Sequence, residues 1–160
     1  MGSSTKKPYR ERTDIEKLND CWRKFNGFMN RKEWSAAITR AATATEIAAN
    51  IAIRHELQEQ RNLEADFVDH LLKWANGVAG KFIKLLKPLY KTVEQKRIYK
   101  LLEKKSDIIN DYRNQIIHSG HYMNEDEAEE IKLLAKELIE ELVGIYHEGF
   151  TLKTYSPKVS

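Results

Sequence analysis

Ala36-Ala37-Ile38-Thr39-Arg40-Ala41-Ala42-Thr43-Ala44-Thr45-Glu46-Ile47-Ala48-Ala49-Asn50-Ile51-Ala52 is the stretch on which the fold turns. Alanine is the strongest helix former, and its small side chain lets neighbouring helices come close. Around it, Trp34, Ile38, Ala41, Thr45, Ala49 and Ala52 recur at helical spacing. The pattern predicts a long helix over residues 32–60 that lies at the centre of its domain.

Helical periodicity also governs the chain on either side. Ile15, Leu18, Trp22 and Phe25 predict a first helix that starts at Thr13 or Asp14 and ends near Gly27. Phe67, Val68, Leu71, Leu72, Ala75, Ala79, Phe82, Ile83 and Leu86 predict a third over 64–86. Within it Gly77 and Gly80 weaken the helix or admit close packing, and Pro88 marks its end or a kink. A fourth runs over 92–118 on Ile98, Leu101, Leu102, Ile108, Ile109, Tyr112 and Ile116, stopped by Ser119-Gly120. The fifth starts at Asn124, with Glu127 placed for a capping box and an acidic first turn. It buries Ile131, Leu134, Leu138, Leu142 and Ile145.

No strand alternation competes. The expectation is all-α: a bundle of five long up-down helices forming one domain over 13–148. A mobile basic arm (1–12, with Lys6, Lys7, Arg10 and Arg12) precedes it, and a C-terminal tail (149–160) follows. Trp22, Trp34, Trp74 and Phe82 are expected in the core.

The 160 residues suit one domain with a sizeable core. A formal net charge of +3 permits a polyanionic partner without demanding one. One cysteine, Cys21, excludes an intramolecular disulfide and suits a reducing cytoplasm. No apolar run approaches the ~20 residues that cross a bilayer, so no membrane partner is expected. Lysine-rich faces (Lys84, Lys87, Lys91, then Lys96, Arg97, Lys100, Lys104, Lys105) are solvated surfaces that could also steer a nucleic acid.

Chemistry concentrates in Tyr112-Arg113-Asn114-Gln115-Ile116-Ile117-His118-Ser119-Gly120. Arginine presents a planar, permanently charged fork to phosphate oxygens. Histidine exchanges protons near neutral pH. Asn114 can donate to a phosphate oxygen. Together they suit RNA cleavage, in which a base takes the 2′-hydroxyl proton and a cation stabilises the crowded phosphorus. No metal or other cofactor is implied, and His118 with His121 reads as two surface histidines. Five residues on a helix turn through about 140°, so Arg113 and His118 do not share a face. Asn114 and His118 do. Ile117 is apolar yet off the buried stripe, which suggests that a second copy pairs there and completes a composite site.

Arg113-Asn114-x-x-x-His118 near the end of the penultimate helix, then a Gly turn and a capped acidic helix, resembles the HEPN superfamily (higher eukaryotes and prokaryotes nucleotide-binding). The helical plan over 14–147 is similar as well. The resemblance implies a dimeric, metal-independent endoribonuclease acting on single-stranded RNA, in a toxin or defence setting with an antitoxin or regulatory protein as a further partner. It implies catalytic roles for Arg113, Asn114 and His118. Glu46, an acid on an early core helix, would support Arg113, and His121 and Tyr122 would be auxiliary. Gly120 stands where related toxins often carry tyrosine, and Tyr122 follows two residues later. Two other readings stay open: a catalytically silent HEPN module that binds nucleotides or a partner protein, and a structural helical adaptor.

Overall fold

A computed structural model describes residues 7–9 and 12–154. Residues 1–6, 10 and 11 of the expected arm, and 155–160 of the expected tail, lie outside the described residues. The described chain is an all-helical bundle with no strand among its residues.

Six helices follow one another. They are α1 (Asp14–Asn30), α2 (Trp34–Arg54), α3 (Ala65–Trp74), α4, α5 (Val93–Ser119) and α6 (Glu125–Gly144). A π-helical turn, His55–Glu59, prolongs α2. Helix α4 opens at Gly77–Gly80, passes through a π-helical segment Lys81–Leu86 and closes at Lys87–Leu89.

Three helix starts are set locally by capping boxes. Thr13 with Glu16, Thr92 with Gln95, and Asn124 with Glu127 each exchange two side-chain-to-backbone hydrogen bonds of 2.9–3.3 Å. Each pair satisfies N–H groups that the first helical turn leaves without partners. Helix α1 runs past Gly27 to Asn30, because Met29, one turn beyond Phe25, also has core to fill.

Helix α2 is the central element, as its alanines predict. Twelve of its 21 residues are buried, and α1, α4, α5 and α6 all pack against it. At Ala37, Ala41, Ala44, Ala48 and Ala49, which are almost wholly inaccessible, larger side chains would hold these neighbours apart.

The third predicted helix is two helices. It breaks at Ala75-Asn76, and Gly77 takes φ +78°, a conformation that favours glycine. After the break the chain folds back so tightly that a Cβ on Gly80 would lie 3.2 Å from the carbonyl carbon of Ala75. The break rotates the apolar stripe, so Val68, Leu72 and Phe82 are buried while Phe67, Trp74 and Ile83 stand more than half exposed. Trp74 is therefore not a core residue, and Lys84 lies over its ring at 4.9 Å. Leu101 and Ile108 of α5 are exposed as well, on the flank beyond the buried line Leu102–Ile109.

Described residues that flank the helices on both sides approach the bundle. Lys7 lies 3.5 Å from Glu16, Arg12 lies 3.5 Å from Asp20, and Lys17 sits over the Tyr9 ring. Leu152 is buried, and its N–H donates to Glu140 at 2.9 Å. No helix among the described residues is long and apolar enough to cross a membrane.

Candidate functional site

Helix α5 carries the Arg-Asn-x-x-x-His segment to one end of the bundle. Gly120 ends the helix in the left-handed conformation (φ +62°), and the N–H groups of Gly120 and His121 both return to the Gln115 carbonyl. Immediately before the segment, the Tyr112 hydroxyl donates to Glu130 of α6 at 2.8 Å. That carboxylate, with burial, pushes the phenol up to about 12. The bond fixes the rotation of α5 about its axis just where Arg113 follows.

With Ile109 fully buried, the inward line of α5 is fixed. Arg113 and Asn114 are half-buried, whereas His118, His121 and Tyr122 are exposed. The side chains of Arg113, Asn114, His118 and His121 make no hydrogen bond or ion pair among the described residues. His118 occupies the last turn of the helix. Ile117 beside it is 47% exposed, a free apolar surface at the centre of the motif.

Ile116 faces a groove of about 350 Å³ shared with Phe28 of α1 and with Ala36, Thr39, Arg40 and Thr43 of α2. The guanidinium carbons of Arg31 and Arg40 lie 5.0 and 5.9 Å from the centre of the Phe28 ring. Arg31 is also held by Glu33 at 3.0 Å, so Arg40 is the cation beside the ring that a phosphate could meet. At the same end of the bundle the Met123 N–H donates to Ser35 Oγ at 3.0 Å, beside the exposed Tyr122.

Phe28, Arg31 and Arg40 did not stand out in the sequence, because they lie more than 70 residues from the motif. A signal was nevertheless present. Ser35, Thr39, Thr43, Glu46 and Asn50 recur every three or four residues along the alanine-rich helix. That polar stripe marks the side of α2 left open to ligands.

Glu46 does not join Arg113. Its Oε1 accepts the N–H of Gly77 at 3.1 Å and lies 3.8 Å from Lys81 Nζ. About three turns of α2 separate it from the end where Ser35 meets Met123. The acid expected to support Arg113 is instead occupied at the α3–α4 break. Among the described residues no group of three or more His, Cys, Asp or Glu side chains is arranged to hold a metal ion.

The chain matches no protein-family model, no curated protein and no solved structure.

Proposed function

We propose that this chain is a HEPN-type, metal-independent endoribonuclease that cuts single-stranded RNA at a site completed by a second copy of itself. One observation carries the reading. Arg113, Asn114 and His118 all lie within the last two turns of α5 with no hydrogen-bond or ion-pair partner among the described residues. Charged and amide groups are normally paired when partly buried, so the half-buried Arg113 and Asn114, left uncommitted, are available to a ligand.

The chemistry follows from their types. His118 takes the proton of a 2′-hydroxyl, whose oxygen attacks the adjacent phosphorus. Arg113 stabilises the additional negative charge on the phosphoryl oxygens, and Asn114 orients them. The bond from phosphorus to the 5′-oxygen breaks, and the leaving oxygen is protonated by the histidine of the second copy. The products are a 2′,3′-cyclic phosphate and a 5′-hydroxyl. Because Arg113 and His118 are about 140° apart on one helix, pairing about a two-fold axis through Ile117 brings two of each into one cleft. A toxin or defence role, restrained by an antitoxin or regulatory protein, is the setting this activity suits.

The test is cleavage of mixed single-stranded RNAs in EDTA by the wild type, His118→Ala and Arg113→Ala. Cleavage that survives chelation and is lost in both variants supports the enzyme. Equal cleavage by wild type and His118→Ala overturns it. RNA binding without cleavage in the wild type would identify a silent binding module instead.

A further inference from the structure

A cavity of about 640 Å³ lies at the other end of α2's polar stripe, well away from the motif. This volume falls within the range that holds small organic ligands. Its charged lining is Lys17, Arg54, Lys73 and Lys81 against Glu46 and Asp69.

Both carboxylates are committed. Glu46 holds the Gly77 N–H, and Asp69 lies 2.5 Å from Arg54, which Asp14 also holds at 2.8 Å. The ammonium groups keep free N–H donors, although Lys17 lies over the Tyr9 ring and Lys81 is held by Leu72 and Glu46. Lys17 and Lys73 form no ion pair among the described residues. Lys81 is 3% exposed, and its ammonium makes one hydrogen bond, 2.7 Å to the Leu72 carbonyl. Its distance of 3.8 Å to Glu46 is too long for another, so donors remain unused. Burial depresses the Lys81 pKa, with Glu46 acting in the opposite sense, so an anion beside it would relieve an existing desolvation cost.

Two further observations converge here. Asn50 lines the cavity, and its Oδ1 is buried without a hydrogen-bond partner. Two π-helical segments among the described residues bracket the cavity: Arg54 immediately precedes one, and Lys81 is the first residue of the other. A π turn weakens the helical ladder and occurs preferentially where a side chain must be re-aimed at a site.

We infer that this cavity binds a small phosphate monoester bearing hydroxyl groups. Lys17, Lys73 and Lys81 converge on the dianionic phosphate, and Asn50 and Asn76 meet the hydroxyls of the organic part. Three ammonium groups suit a dianion better than a single carboxylate, and the unpartnered Asn50 amide calls for a hydrogen-bonding ligand.

Calorimetric titration and thermal denaturation of the full chain with ribose 5-phosphate, and with ribose at matched ionic strength, test the inference. Ribose 5-phosphate should bind saturably and raise the melting temperature, and ribose should bind at least ~10-fold more weakly. The Lys17→Ala/Lys73→Ala double variant alters only solvent-accessible ammonium groups and should keep the helical spectrum. It should lose at least ~10-fold in affinity. His118→Ala should bind as the wild type does, which separates this site from the motif. No saturable binding at millimolar concentration, equal binding of ribose, or unchanged affinity in the double variant would overturn the proposal.

Discussion

Glu46 and Lys81 close the break between α3 and α4 from its two sides. Glu46 accepts the first N–H of α4, from Gly77, while Lys81 donates to the Leu72 carbonyl, which the last turn of α3 leaves without a helical partner. The two charged ends lie 3.8 Å apart. Each therefore holds a helix terminus and compensates the charge of the other. Glu46→Ala strands a buried ammonium and should cost about 3 kcal/mol in urea denaturation. Lys81→Met preserves most of the apolar stem and removes the charge; it strands the Leu72 carbonyl and leaves Glu46, which is partly solvated and keeps the Gly77 N–H, without its counter-charge, so about 1–2 kcal/mol should be lost. Wild-type stability in Glu46→Ala would show that the clasp contributes nothing.

The Tyr90 and Tyr146 hydroxyls share a 2.5 Å hydrogen bond behind the π turn of α2, near Glu56 and Arg61. Burial pushes Tyr90 up to about 12 from an ordinary 10.0, and Tyr146 is raised by burial and by Tyr90. A folded-state pKa above the unfolded one means that the folded state keeps the proton longer. The pair's contribution is fully present below about pH 10 and is lost as pH rises through the folded values. Lys81, whose pKa is lowered, works in the opposite sense, since its cost is lifted as pH approaches 10.5. Tyr99 and Tyr112, also pushed up to about 12, act in the same sense as the pair, so stability should fall between pH 10 and 12, and less steeply in Tyr146→Phe. Denaturation midpoints measured across that range check this, and an identical slope in the variant would contradict it.

How far the fold was legible follows from the range of each interaction. Thr92 with Gln95 and Asn124 with Glu127 are capping signals spanning four residues, so both helix starts could be read directly. The alanine spacing of α2 likewise announces its centrality. The α3–α4 break was hidden because apolar periodicity runs through it from Phe67 to Leu86, and its fixings, Glu46 and the Ala75 backbone, are tertiary. At the motif, the order Arg113-Asn114-His118 was visible because it is local. The groove partners Phe28 and Arg40 come from helices that meet α5 only after folding.

Two glycines in helices should respond oppositely to the same substitution. A Cβ on Gly80 meets the Ala75 carbonyl carbon at 3.2 Å, and backbone cannot easily move aside. Gly80→Ala should cost about 1–2 kcal/mol despite alanine's better helix propensity. Gly144, in the last turn of α6, has nothing within 4 Å of that position, so Gly144→Ala should gain about 0.5–1 kcal/mol. Thermal melts of the two single variants give the comparison, and a stabilised Gly80→Ala would mean that the α3–α4 turn is looser than drawn.

Ile117 tests the composite site without disturbing the fold. Its side chain is 47% exposed and lies off the buried line of α5, so Ile117→Glu should change stability by no more than about 0.5 kcal/mol. If two copies pair through this face, the substitution buries two like carboxylates beside each other at the two-fold axis. Association should then fall by two orders of magnitude or more, about 3 kcal/mol or above. Sedimentation equilibrium of wild type and variant reads the pairing, and RNA cleavage reads the site. The proposed geometry requires both to be lost together, because neither copy alone brings an arginine and a histidine onto one face. A monomeric Ile117→Glu with full cleavage would refute the composite site while leaving the motif's chemistry intact. A wild type that is monomeric and still cleaves would do the same. An Ile117→Glu variant that pairs with undiminished affinity would place the contact elsewhere on the bundle.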